Sequence, residues 1–145
     1  MSYPSALGEG LLSILAFAVL WICVCGLLGQ ASGWPILARS YRASGRPLGV
    51  RLNGQVFGIG SVPERHVTGL VVAETGLYLW THWAFRVFRP ALCIPWAAIK
   101  GLRPRKFLWA TWYIIETELP VSIVISRKAY AVIQPYVSAS IHATR

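Results

Sequence analysis

An uncharged, strongly apolar run near the N-terminus constrains this chain more than any other feature. No charged residue occurs from position 10 to position 38, and the core of that stretch, residues 11–28, reads LLSILAFAVLWICVCGLL. A helix needs about 20 apolar residues to cross the hydrocarbon of a bilayer. The run therefore predicts one transmembrane helix over residues 10–31, preceded by a short extracytoplasmic segment, residues 1–9.

Two other interpretations of this run fit less well. A cleavable signal peptide has basic residues before its apolar stretch and small residues at its cleavage site. Here the leading segment carries only Glu9 as a charge, and Gln30-Ala31-Ser32 is a weak cleavage match. A core helix of a soluble domain would show a polar face, whereas only Ser13 interrupts the apolar residues. A membrane anchor is the better interpretation.

The basic residues predict which way the anchor points. All 14 Lys and Arg residues follow the apolar run, and basic residues close to a span favour the cytoplasmic side. We therefore expect the N-terminus outside and the C-terminal domain in the cytoplasm. The residues expected to form the anchor, the last of them as an aromatic at the interface, are Leu11, Leu15, Val19, Trp21, Leu27 and Trp34.

The composition changes after the anchor. Residues 32–49 are rich in Gly, Pro, Ser and Arg, which predicts an interfacial linker. Its segment WPILARSY either extends the transmembrane helix or forms a short helix on the membrane surface. Residues 50–145 suffice for one small domain.

Turn and cap residues outline the elements of this domain. Glu74-Thr75-Gly76 separates two β-rich runs as in a hairpin, and Pro120 lies in or near the turn of a second hairpin. The intervening AAIKGLRPRK is turn-like. Ser126 is a suitable N-cap for a closing helix. Strands followed by one helix predict an antiparallel α+β domain.

Short motifs in this region resemble those of the pleckstrin-homology-like (PH-like) superfold, most closely its GRAM-type and bacterial branches. They are GLYL at 76–79, IPW at 94–96 followed by Ile99, and the C-terminal helix. The similarity covers roughly residues 50–140 and implies a curved antiparallel sheet in a partly open barrel, closed by one helix. Together with the anchor, the motifs also look like those of small bacterial membrane proteins. That resemblance implies a bacterial cytoplasmic (inner) membrane location and no activity, because fold does not carry function.

Residue types suited to catalysis are sparse. The chain has no Asp and five Glu residues. Glu116 and Glu118 would share one face of a strand, but they precede a turn and are expected to be solvated. The polar segment Glu64-Arg65-His66 has no nucleophile nearby in sequence. The histidines lack metal-ligand spacing, and no glycine-rich segment matches a phosphate loop. We therefore expect no enzymatic activity, cofactor, metal or small-molecule substrate.

Aromatic and basic residues are abundant instead. Aromatic side chains settle at the level of lipid headgroups, and Lys and Arg pair with their phosphates. Residues predicted to contact a partner or the membrane interface are Trp80, Trp83, Phe85, Arg86, Phe88 and Arg89. Residues predicted to contact anionic lipid are Arg39, Arg42, Arg46, Lys100, Arg103, Arg105 and Lys106. Nucleic acid also suits basic and aromatic surfaces, but it is not expected as a partner, since an anchored domain already has phosphates beside it.

Two functions fit this inventory. The first is a non-catalytic accessory or scaffold subunit of a larger integral-membrane complex, whose domain braces the assembly. The alternative is a peripheral lipid-engaging module that binds anionic lipids of the inner leaflet. The first is favoured because the helix already localises the domain, whereas exposed aromatic residues are typical of binding hot spots.

Overall fold

The computed structural model describes residues 4–60, 62–63 and 68–143. Its first element is helix α1, Pro4–Ala31. Within it, Leu7–Ala31 is long and apolar enough to cross a membrane, and only 6% of its most apolar window is buried by the rest of the chain. A core helix of a soluble domain would be covered by its neighbours. The prediction of an N-terminal helix suited to spanning a membrane is confirmed.

A second helix, α2, Trp34–Tyr41, follows α1 directly. Between the two helices, Gly33 adopts a left-handed φ of 75°, which glycine reaches without steric cost. Trp34 and Leu37 of α2 are fully buried in the core of the domain. Of the two alternatives for WPILARSY, the structure shows a helix separate from α1. Its two large apolar side chains are part of the folded core.

Nine strands among the described residues build the domain. They are β1 Val50–Asn53, β2 Val56–Ile59, β3 Val62–Pro63, β4 Thr68–Val72, β5 Gly76–Thr81, β6 Leu92–Pro95, β7 Ile99–Phe107, β8 Ala110–Thr117 and β9 Ser122–Ile125. They form two antiparallel sheets, one in the order β1-β4-β5-β6 and one in the order β3-β2-β9-β8-β7. Single 3-10 turns lie at Trp83–Phe85 and Trp96–Ala98.

Both predicted hairpins are present. Strands β4 and β5 pair around Glu74-Thr75-Gly76, and β8 and β9 pair on either side of Pro120. Gly76 is required by a close approach of two backbones, because any Cβ there would collide with the carbonyl oxygen of Ile94. The turn signals of the sequence thus locate these two reversals.

The segment predicted as turn-like, AAIKGLRPRK, is instead mostly the long strand β7. Pairing with β8 along its length outweighs the local effect of Gly101 and Pro104. β7 is the edge strand of its sheet, which is where a proline such as Pro104 is tolerated within a sheet. The real reversal falls later, at Leu108, where φ is 55°.

The closing helix α3, Arg127–Ala143, covers the core from one side. The Ser126 hydroxyl accepts a hydrogen bond from the Ala129 N–H at 3.1 Å, which is the N-cap predicted from sequence. Ala129, Ile133 and Val137 form its buried face. The α+β class is confirmed. The strands divide into two sheets, and the described residues form no closed barrel. The chain passes from one sheet to the other between β1 and β2, between β3 and β4, and between β6 and β7.

Candidate membrane-facing surface

Residues 82–89, hereafter the aromatic loop, pack against the C-terminal half of α1. The Phe85 ring centroid lies 5.8 Å from that of Trp21. Phe88 lies against Gly26 and Gly29, and a Cβ added to Gly29 would stand only 3.3 Å from the Phe88 Cβ. At 3.6 residues per turn, Trp21, Gly29 and Gly26 fall within about 140° around α1. The aromatic loop therefore docks on one broad side of the apolar helix.

Local hydrogen bonds give the aromatic loop a compact shape. The Ala84 N–H donates to His82 Nδ1 at 3.5 Å, and the Arg86 N–H donates to the Trp83 carbonyl at 3.2 Å. The Thr81 hydroxyl donates to the Arg89 carbonyl at 3.4 Å and closes the base of the loop. With the phenylalanines turned to α1, Trp83 is left 75% exposed and Val87 80% exposed.

Trp34 and Arg89 hold the base of the aromatic loop to the helices. The Trp34 indole N–H donates to the Pro90 carbonyl at 2.9 Å, and the Arg89 guanidinium lies 5.8 Å from the Trp34 ring centroid. Both side chains are buried. Trp34 was predicted to be an interfacial anchor and Arg89 a surface contact. Both assignments are corrected. The buried Trp34 indole N–H has its acceptor inside the domain, and Arg89 is buried near the Trp34 ring.

Trp80 is half-buried beneath two arginines. The guanidinium carbons of Arg46 and Arg51 lie 4.7 and 4.9 Å from its ring centroid, within cation–π range. Its indole lies across Gly69 of the neighbouring strand, where any Cβ would collide with the ring. Trp80, predicted to contact a partner or the membrane, thus forms a platform for the segment that carries Arg46.

The predicted lipid-contacting residues are all exposed, in two groups. One group follows α1 in sequence: Arg39, Arg42 and Arg46. The other lies along the edge strand β7: Lys100, Arg103, Arg105 and Lys106. In the second group, Arg103 Nε lies 2.9 Å from Glu116 Oε1 on β8. Arg86 of the aromatic loop is also exposed. The predicted membrane-anchor residues Leu11, Leu15, Val19, Trp21 and Leu27 are exposed along α1.

The sequence reasoning missed one exposed apolar cluster, Phe107-Leu108-Trp109, hereafter the hairpin tip. These side chains are 63, 75 and 92% exposed at the reversal between β7 and β8. Below them lies a cavity of about 210 Å³, lined by Phe57, Pro63, Arg105, Phe107, Trp112 and Val124. Three consecutive large apolar residues break the alternation of a half-buried strand. That break is the signal that could have identified the tip.

The described residues offer little for catalysis. Among them, no group of three or more His, Cys, Asp or Glu side chains is placed to hold a metal. Burial, with a smaller contribution from Glu118, raises the pKa of the Tyr41 hydroxyl. Burial also raises the pKa of the Cys93 thiol, which disfavours the reactive thiolate. The segment Glu64-Arg65-His66 lies outside the described residues, and the absence of enzymatic activity stays a prediction.

Comparison of the chain with protein-family models, with curated proteins and with solved structures gives no match. The function must therefore be inferred from the chain's own residues, namely the apolar helix, the aromatic loop packed on it and the hairpin tip.

Proposed function

We propose that this chain is a non-catalytic accessory subunit of a larger assembly in the bacterial inner membrane, with a PH-like domain on the cytoplasmic side. The observation that supports this role is the docking of the aromatic loop on α1, through Phe85 on Trp21 and Phe88 on Gly26 and Gly29. A domain that needed only to stay near the membrane would be served by a flexible linker. A domain fixed to its anchor presents one surface in one orientation, as a bracing subunit requires.

The surface that meets the partner subunit is, in this proposal, the hairpin tip. Aromatic side chains such as Trp109 are enriched at binding hot spots, and Trp109 is almost fully exposed. Arg105 and Lys106 directly precede the tip on β7 and are also exposed. Since complementary charge guides association, the partner should offer an apolar depression with acidic residues at its rim.

The test is purification of the tagged full-length protein in a mild detergent, with mass spectrometry of the proteins that accompany it. A stoichiometric membrane partner is expected. The double variant Phe107→Ala/Trp109→Ala should lose that partner, because it removes the exposed anchors of the contact. Trp83→Ala is the matched control, since it removes an exposed aromatic from the aromatic loop and should retain the partner. Recovery of the protein alone, or equal recovery of a partner with all three forms, would contradict the proposal.

A second candidate function, the lipid-engaging module, is favoured by the exposed arginines that follow α1, namely Arg39, Arg42 and Arg46. Each basic residue at an anionic leaflet contributes about 1 kcal/mol. For this function, purified protein should carry phosphatidylglycerol, and Arg39→Glu/Arg42→Glu should carry several-fold less. Lys128→Glu is the control, since Lys128 is an exposed basic residue of α3 that is not among the predicted lipid contacts. Equal lipid retention by all forms would exclude the module.

A further inference from the structure

The contacts of the aromatic loop fix its position along the axis of α1. Trp21 and Gly29 precede Ala31, the end of α1, by ten and two positions. At a rise of 1.5 Å per residue these positions lie roughly 15 Å and 3 Å from that end. The aromatic loop, which touches both, therefore runs beside the helix over its last three turns.

The length of the apolar segment limits where a bilayer can begin. Leu7–Ala31 has 25 residues, or about 38 Å of helix, whereas the hydrocarbon of a bilayer is about 30 Å thick. If all of the excess lies on the side of the domain, the hydrocarbon ends near Gly26 and Trp21 is still roughly 8 Å inside it. For hydrocarbon that starts no earlier than Leu7, this is the smallest depth of Trp21.

Glu9 favours a deeper placement of the loop. A carboxylate is costly within hydrocarbon, and Glu9 lies near the start of the apolar segment. Keeping Glu9 at the outer interface moves the other boundary of the hydrocarbon to about Gly29. Trp21 and the Phe85 ring packed on it then lie roughly 12 Å from that boundary.

We infer that the aromatic loop is itself inserted into the leaflet on the side of the domain, with Trp83 and Val87 in contact with lipid acyl chains beside α1. Both residues are exposed, and they lie within two positions of Phe85 and Phe88, which pack on α1. Like the proposed function, this inference rests on α1 spanning a membrane, but it needs no partner protein.

Part of the backbone of the aromatic loop is hydrogen-bonded within the loop, which lowers the cost of such insertion. Polar groups left without partners in hydrocarbon cost several kcal/mol each, so irregular segments are normally kept out of it. Here the Phe85, Arg86 and Arg89 N–H groups donate to carbonyls of the same loop, and the Ala84 N–H donates to His82 Nδ1. The one exposed charge of the loop, Arg86, has a stem long enough to bring its guanidinium back to the phosphates.

Site-directed spin labelling of the full-length protein tests this inference. Cys23, Cys25 and Cys93 are first changed to Ala, and single cysteines then replace Val87, Leu15 and Leu48 in separate variants. Leu15 lies within α1, and Leu48 is a 96% exposed residue of the segment between α2 and β1. Each variant is labelled with a nitroxide and reconstituted into vesicles of phosphatidylcholine and phosphatidylglycerol. Collision rates with oxygen and with a water-soluble nickel chelate report the depth of each label.

The label at Val87 is expected to collide with the nickel chelate several-fold less often than the label at Leu48, and to lie shallower than the label at Leu15. A label at Val87 as accessible as that at Leu48, with Leu15 deep, would overturn the inserted loop and leave the anchor and the accessory role intact. A water-accessible Leu15 would overturn the anchor and the inserted loop together.

Tryptophan fluorescence gives a second test that needs no cysteine substitutions. Lipids brominated on their acyl chains should quench the fluorescence of the otherwise unmodified protein less after Trp83→Phe, because an inserted indole is removed. Trp109→Phe is the control at the hairpin tip. Unchanged quenching after Trp83→Phe would contradict insertion.

Discussion

The aromatic loop and the hairpin tip have similar compositions and opposite environments. Each places large aromatic residues beside basic ones. The aromatic loop turns Phe85 and Phe88 onto Trp21 and the glycines of α1, whereas the hairpin tip projects Trp109 into open space at 92% exposure. An aromatic-basic cluster in a sequence therefore indicates a contact surface. It does not indicate whether that surface packs against another part of the same chain. Glycines on a facing element decide that question here.

The largest expected effect on stability separates two tryptophans, one buried by the chain itself and one exposed. Trp34→Ala should lower the free energy of unfolding by about 3–5 kcal/mol, because it empties a fully buried site and removes the donor to the Pro90 carbonyl. Trp109→Ala should change it by less than about 0.5 kcal/mol, as exposed substitutions usually do. Chemical denaturation of the detergent-solubilised protein measures the change in unfolding free energy for both variants. Equal losses would contradict the assignment of the tip as a surface without cover.

A smaller loss of stability is expected from a substitution at the contact between the aromatic loop and α1. Gly29→Leu should destabilise the packed form by about 1–3 kcal/mol through overpacking, because Phe88 already fills the space beside Gly29. The matched control is Gly10→Leu, since nothing lies within 4 Å of a Cβ at that position.

Protease sensitivity of the aromatic loop, measured together with unfolding, shows whether the substitution at Gly29 acts at this contact. Faster cleavage in the Gly29 variant than in the Gly10 variant is expected. Equal cleavage would mean that the loop is held by its base at Trp34 and Arg89 rather than by the glycines.

The parts of the fold that were predictable depend on neighbours in sequence. The uncharged run indicates α1, Glu74-Thr75-Gly76 and Pro120 indicate two reversals, and Ser126 indicates the start of α3, because each signal acts over a few residues. The strand β7 was missed because Pro104 is tolerated only on an edge strand, and edge position depends on the whole sheet.

The candidate site was predictable in composition but not in arrangement. Trp34 resembles an interfacial anchor in sequence, yet its burial depends on the Pro90 carbonyl and Arg89, which come much later in the chain. The packing of Phe88 on Gly26 and Gly29 likewise joins distant segments. Local patterns carry no information about such pairs. The exposure of the hairpin tip follows from the register of β7 with β8, which depends on pairing over the full length of both strands.

The smallest expected effect concerns the Arg103–Glu116 ion pair between β7 and β8. Glu116→Gln removes the carboxylate 2.9 Å from Arg103 Nε, but the arginine side chain is 74% exposed, so solvent screening limits the stabilisation to about 0–1 kcal/mol. The change in unfolding free energy should shrink further in high salt, because exposed charges are screened. A loss as large as that of Gly29→Leu would mean that the pair fixes the hairpin in place. A negligible loss of unfolding free energy would mean that Arg103 is not held by Glu116. The basic residues of β7 could then meet acidic residues of a partner at the hairpin tip, whereas the aromatic loop packs on α1 and needs no such partner.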